Sequence, residues 1–249
     1  MPPPLVRFED VHYSAGTHPF TKEVLRGLSF DVEPGETLVL LGRSGSGKTT
    51  ALKMVNALLM PSRGQVLVEG RATTGWNPIE LRRRIGYVIQ ETGLFPHFTV
   101  AQNVAMVPRL NQWPEERIQA RVAELLDRVG LPPADFVNRF PRELSGGQRQ
   151  RVGVARALAA DPPLLLFDEP FGALDPVTRF EVRREFRTLA RDLKKTAIFV
   201  THDVAEALEL ASNVALLAEG KLEELLPASE FPTARSAEAR AFLACLRDH

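Results

Sequence analysis

One cysteine, Cys245, stands alone in a chain of 249 residues. A single thiol excludes an internal disulfide framework and a cysteine-built metal site, and it fits a reducing compartment. Near the C-terminus it reads as a packed or incidental residue. No stretch approaches the roughly 18 uninterrupted apolar residues of a bilayer-spanning helix, so any membrane role must come through a partner. Met1-Pro2-Pro3-Pro4 lacks the charged-then-apolar order of a secretory leader. Charge of one sign is missing too. Lys+Arg and Asp+Glu both number 31, so no net field draws the chain toward nucleic acid or an anionic membrane. There is no internal repeat and no low-complexity tract. What the length does allow is a substantial core, in one large domain or two small ones.

Against that background one stretch carries a mechanism. Gly42-Arg43-Ser44-Gly45-Ser46-Gly47-Lys48-Thr49 lies between the apolar run Leu38–Leu41 and the helical stretch Ala51–Leu59. A G-x-x-x-x-G-K-T loop between a buried strand and a helix cradles phosphate. Its glycines let successive backbone N–H groups turn inward around the anion. Lys48 supplies a point charge for the outer phosphates and Thr49 a hydroxyl ligand for Mg2+, while the following helix aims its positive end at the same place. The candidate nucleotide-contacting residues run from Gly42 through Thr50, and the expected ligand is a nucleoside triphosphate.

Residues 5–14, 24–32 and 65–70 read as short strands with partial alternation, separated by the turns Glu33-Pro34-Gly35-Glu36 and Glu69-Gly70. They predict an antiparallel layer beside the phosphate loop. Tyr13 ends the first of them, where a tyrosine serves packing more often than a ligand. The remaining apolar runs are continuous. Ile85–Ile89 ends at Gln90, Leu164–Phe167 at Asp168-Glu169, and Ala197–Val200 at Thr201-His202, with Val214–Leu217 as a further strand. Continuous runs separated by helical stretches indicate a parallel sheet buried on both faces. In such sheets ligands sit beyond the carboxyl ends of the strands. A phosphate loop, an amide, two carboxylates and an imidazole would therefore converge.

Residues 91–160 differ in texture, with helical patterns such as Glu115–Val129 broken by Gly130-Leu131-Pro132-Pro133. They predict a helical insertion within the α/β core. Its last helix opens at Ser145-Gly146-Gly147-Gln148. Ser145 and Gln148 have capping-box spacing, so a plain helix start is one reading. Two glycines in a first turn are costly in backbone entropy, and the other reading is that something must approach those N–H groups closely.

Taken together these motifs resemble the ATP-hydrolysing subunit of an ABC transporter, over about residues 5–225. The phosphate loop is similar to the family's Walker A. Leu144-Ser145-Gly146-Gly147-Gln148 matches its signature, Leu164–Asp168 with Glu169 its Walker B and catalytic glutamate, and Asp175 its D-loop. Gln90 corresponds to the Q-loop, His202 to the switch histidine and Tyr13 to the adenine-stacking aromatic. Arg43, where many relatives have proline, departs from the pattern in a variable position. The resemblance implies an α/β P-loop NTPase with a mostly parallel core sheet, an N-terminal antiparallel β layer and an inserted helical subdomain at about 91–159, all within a single ATPase domain over 1–249. It implies two copies head to tail, each ATP held between one Walker A and the other copy's signature. By the same resemblance Thr49, Asp168 and Gln90 attend Mg2+, Glu169 polarises the attacking water, and His202 orients it. Gln90 would reach the metal only when the helical subdomain swings in, and Asp175 would lie at the dimer seam.

Leu94, Phe95, Phe98 and Val100 cluster just after Gln90. They suit a groove that receives a helix of a membrane permease near Gln90–Val100; the other reading is that they pack the subdomain's own core. In detail this segment resembles importer ATPases for quaternary amines and osmoprotectants such as glycine betaine, choline and carnitine. That implies a peripheral position on the cytoplasmic face of the membrane, an extracytoplasmic solute-binding protein as indirect partner, and no nucleic acid. Residues 226–249 suffice for a short helix (Ala237, Ala241, Leu243, Leu246) but not for the regulatory domains some of those relatives carry. The competing class is a soluble ABC-type ATPase serving as an assembly or regulatory factor, or an importer ATPase for another small solute.

Overall fold

The computed structural model describes residues 3–16, 21–90, 93–193 and 195–246. The chain divides into two compact units, residues 1–82 with 195–249, and residues 83–194. The architecture is α/β.

The first unit opens with β1 (Val6–Ala15) and β2 (Lys22–Val32), continues through β3 (Thr37–Leu41), α1 (Lys48–Val55), β4 (Arg63–Val68) and β5 (Arg71–Ala72), and closes with α2 (Pro78–Arg83) at its edge. β2-β1-β4-β5 pair antiparallel, which is the expected β layer. Val6, Phe8 and Val11 are buried along β1, and Phe8 stacks on Phe30 of β2 with ring centroids 4.4 Å apart. α1 stops at Val55, earlier than the apolar run suggests. Ala57 turns left-handed (φ 53) and Leu58 N donates to Lys53 O at 2.9 Å, a terminating turn that leaves the Leu58 side chain outside.

The second unit holds β6 (Ile85–Val88), five short or medium helices, β7 (Leu164–Asp168) and α8 (Pro176–Leu193). The helices are α3 (Val100–Val104), α4 (Met106–Leu110), α5 (Glu115–Arg128), α6 (Pro133–Phe136) and α7 (Gly146–Leu158). This unit reaches beyond the helical segment 91–159 to take in both strands. α5 buries Ile118, Val122, Leu125 and Leu126, spaced as one stripe of a helix, and packs against α7. Burying each such side chain contributes about 1.5–3 kcal/mol. α7 is the hub: it packs on β6, α3, α5 and α8.

The chain then returns to the first unit through β8 (Thr196–Thr201), α9 (Val204–Leu210), β9 (Asn213–Ala218), β10 (Lys221–Pro227) and α10 (Ala237–Cys245). β3 runs parallel to β8 and to β9, and β6 runs parallel to β7 within its own unit. β10 lies beyond the strands that the apolar runs predict. It pairs antiparallel with β9 across the two-residue turn Glu219-Gly220, both at positive φ, as a tight primed hairpin turn requires. Among the described residues no helix is long and apolar enough to cross a membrane.

Candidate functional site

In the first unit, strand register brings two of the candidate elements to one level. Leu41, the last residue of β3, pairs with Thr201, the last of β8. Gly42 and His202 follow directly, so the phosphate loop and the candidate switch histidine leave neighbouring parallel strands side by side. Lys48 is buried, and its Nζ donates to Gly42 O at 2.7 Å and Arg43 O at 2.9 Å, bending the ammonium back into the loop. Gly47 caps α1 at φ 101, and a Cβ there would stand 2.6 Å from Leu25 Cδ2. Only glycine lets β2 close on the loop this tightly. From the other side the β9–β10 turn is seated on it, with Gly220 N donating to Ser46 O at 3.2 Å.

The Ser46 hydroxyl is buried and finds no hydrogen-bond partner among the described residues. Such an orphan costs about 1–3 kcal/mol, and an anionic oxygen in the loop would recover it. That observation fits a phosphate group. Thr49 and Thr50 begin α1 half-buried, while Arg43, Ser44 and Gly45 are exposed. Arg43 Nε donates to Glu238 Oε1 of α10 at 2.6 Å, across the edge of a cavity of about 670 Å3 that Ser44, Ser46 and Lys221 also line.

His202 is exposed on a braced turn. The Thr201 hydroxyl donates to the buried Glu206 carboxylate at 2.6 Å and accepts from Asp203 N at 3.0 Å, and Asp203 caps α9 through Ala205 N and Glu206 N. Tyr13 sits half-buried on β1 opposite Leu25 of β2, and residues 17–20 of the loop beyond it lie outside the described residues.

The second unit assembles the other group. Val88 of β6 pairs with Phe167 of β7, so Gln90 and Glu169 each follow two residues later at the same strand ends. Both flank Gly172: a Cβ there would lie 3.4 Å from Gln90 Nε2 and 3.7 Å from Glu169 Oε2. Glu169 is held at φ 46, a conformation costing a glutamate roughly 1–3 kcal/mol, and such strain clusters at functional positions. Asp168 is 8% exposed, and the Tyr87 hydroxyl donates to its Oδ2 at 3.3 Å. Burial, reinforced by the Asp168 charge, pushes the Tyr87 phenol above its ordinary value and keeps it protonated.

Ser145 heads α7 in a complete capping box: its hydroxyl accepts from Gln148 N at 3.2 Å and Gln148 Oε1 accepts from Ser145 N at 2.9 Å. Leu144 is buried, its carbonyl held by Arg149 Nη1 at 2.7 Å. The two glycines differ. A Cβ on Gly147 would stand 2.6 Å from Thr178 Cγ2 of α8, whereas one on Gly146 would make only an ordinary 3.5 Å contact with Leu174. The closeness at Gly147 thus comes from the chain itself, and only Gly146 leaves room for an outside group. Asp175 caps α8, accepting from Thr178 N at 3.1 Å. Hydrogen bonds from Thr178, side chain first, hold the Asp175 carboxyl below the usual carboxylate range.

A divalent ion is tested by its donors. The Thr49 hydroxyl and Asp168 carboxylate are hard oxygen ligands, and among the described residues no cluster of three or more His, Cys, Asp or Glu could cage a metal. Each donor, taken within its own unit, suits Mg2+ arriving with a phosphate ligand, an ion that keeps waters and phosphate oxygens in its shell.

Of the apolar residues after Gln90, Val100 is wholly buried as the first residue of α3, while Phe95 is 40% exposed and packs on Phe98 with centroids 5.5 Å apart. Residues 91–92 lie outside the described residues. Sequence reasoning missed Asn103, which is fully buried in α3 and organises this loop. Its Oδ1 accepts from Phe95 N at 2.8 Å, and its Nδ2 donates to Phe95 O, Phe98 O and Thr99 O at 3.2, 3.1 and 3.0 Å. Arg156 of α7 adds a bond to Gly93 O at 2.6 Å. Thr99 and Gln102, a capping box in the sequence, were the available signal for the helix that carries Asn103.

A family model described as "ABC transporter" matches residues 25–172. The chain is similar to the glycine betaine/carnitine/choline transport ATP-binding protein OpuCA of Bacillus subtilis, 49% identical over 218 residues, covering 84% of this chain and 57% of that protein. It is also similar to the osmoprotectant import ATP-binding protein OsmV of Salmonella typhimurium, 49% identical over 212 residues, covering 82% and 56%. The chain thus spans little more than half the length of these relatives. A solved structure titled as the dimeric, post-hydrolysis state of the ATP-binding cassette MJ0796 bound to ADP and Pi matches with a TM-score of 0.80 at 30% identity, covering 90% of this chain and 98% of that one.

Proposed function

The chain belongs to the ABC transporter family, and from that premise we propose that it binds and hydrolyses ATP to energise an importer of quaternary amines or related osmoprotectants. The observation that carries the nucleotide reading is the phosphate loop itself, with Lys48 folded into it and a buried Ser46 hydroxyl that has no partner among the described residues. The solute class rests on what the OpuCA and OsmV relatives are named for.

In this reading Lys48 and the amides of Gly42–Thr50 neutralise the β- and γ-phosphates, and Tyr13 stacks on the base. Thr49, Asp168 and, on closure, Gln90 attend Mg2+, which when bound spreads the charge developing on the transferred phosphoryl group. Glu169 accepts a proton from the attacking water, and His202 holds that water and the γ-phosphate in line. Holding these groups in place lowers the entropy cost of the step. The signature Leu144–Gln148 of a second copy faces the same ATP, in keeping with the dimeric state named for the MJ0796 cassette. The helical segment 91–159 carries that signature, and Asp175 lies near the seam. The aromatic loop ending at Val100 receives a permease helix, which keeps the chain peripheral on the cytoplasmic face of the membrane. An extracytoplasmic binding protein selects the solute, so this chain never meets it.

Glu169→Gln tests the assignment. It should leave ATP affinity within a few-fold of wild type and cut steady-state hydrolysis by about a hundredfold or more, with stalled uptake of labelled glycine betaine in vesicles carrying the co-purified permease. Normal turnover by this variant would remove Glu169 from its role.

A further inference from the structure

Strand register sets up a contact that none of the motifs describes. β6 and β7 are parallel, with Tyr87 opposite Leu166. Asp168 lies two residues beyond Leu166, so its side chain and that of Tyr87 rise from the same face of the pair. The tyrosine ring spans the diagonal and sets its hydroxyl 3.3 Å from Asp168 Oδ2. A shorter side chain on β6 would not reach. The carboxylate stands at the last position of its strand.

We propose that Tyr87 is a positioning residue for Asp168: its hydroxyl engages Oδ2 and so presents Oδ1 to the metal that accompanies the nucleotide. The inference rests on the reading of Asp168 as a metal-attending carboxylate. A hydrogen bond of 3.3 Å is long for O–H···O, so Tyr87 is one contact on this acid among others. Outer partners of this kind commonly tune metal affinity by about tenfold or more.

The test uses the full chain and a non-hydrolysable ATP analogue, titrated with Mg2+ present and again in chelator. The ratio of the two affinities is the readout. Tyr87→Phe keeps the ring and removes the hydroxyl; it should leave the chelator affinity unchanged and shrink the metal-dependent gain by about tenfold. Replacing Mg2+ with Mn2+ should show the same loss as weaker Mn2+ binding by electron paramagnetic resonance. The ratio is its own control, because loosened packing would weaken both affinities together. An unchanged ratio in Tyr87→Phe, with the ratio lost in Asp168→Asn, would overturn the positioning role alone. If Asp168→Asn also kept the ratio, the metal reading of Asp168 would fall and the inference with it.

Discussion

Gly146 and Gly147 show how adjacent glycines can answer two different demands that the sequence cannot separate. A Cβ there would meet Thr178 Cγ2 at 2.6 Å, while Gly146 beside it has ordinary room. Overpacking of this kind costs about 1–3 kcal/mol, against a gain of up to about 1 kcal/mol from alanine's helix propensity. Gly147→Ala should therefore lower the urea midpoint, and pairing it with Thr178→Ser, which deletes the clashing methyl, should restore it. Gly146→Ala should leave the midpoint unchanged or higher. If it nonetheless abolished hydrolysis, the glycine at 146 would be explained by what approaches from outside. A destabilised Gly146→Ala would instead make both glycines matters of packing. The motif was legible in the linear sequence; its division into a packing glycine and an open one was not, because that depends on how α8 crosses α7.

At the scale of elements, the strands that carry polar residues at their ends were legible because continuous apolar runs have few alternatives to a buried parallel strand. Gln90, Asp168-Glu169, Gly42 and His202 each fall at such an end. β10 was not read, although Glu219-Gly220 and the alternation after Lys221 signalled a hairpin. Nor was the loop before α3 legible: four apolar residues there fit either a groove or a core, and the structure sends Val100 inward and leaves Phe95 outside. What decides its shape is one buried amide. Asn103 makes four hydrogen bonds to Phe95, Phe98 and Thr99. Asn103→Ala leaves those backbone groups to find water, at roughly 1–3 kcal/mol, and frees the loop that displays Phe95 and Phe98. Backbone amides of residues 93–99 should then exchange faster. Uptake through the permease should fall several-fold while basal ATPase activity of the isolated chain stays near wild type. Equal losses in both activities would mean that Asn103 supports the fold generally and has no special part in docking.

At the scale of the whole molecule, the proposed function asks two helix starts to meet phosphate, α1 behind the phosphate loop in one unit and α7 behind Ser145 in the other. Each motif was legible on its own, but a single chain gives no reason why both should attend one triphosphate. A second copy does. Balanced charge, 31 of each sign, puts no net repulsion between copies. In a head-to-tail pair each site takes its phosphate loop from one copy and its signature from the other, and this makes complementation predictable. Lys48→Ala and Ser145→Arg should each be inactive alone, since every site in either homodimer is damaged. Mixed in equal amounts, half of the dimers are heterodimers, and each of these has one site with both lesions and one with neither. Up to about a quarter of wild-type sites should then reappear, measured as ATPase activity that grows with the concentration of the second variant. No recovery in a mixture shown by light scattering to contain heterodimers would mean that each copy completes its own site, and the head-to-tail arrangement would be wrong for this chain.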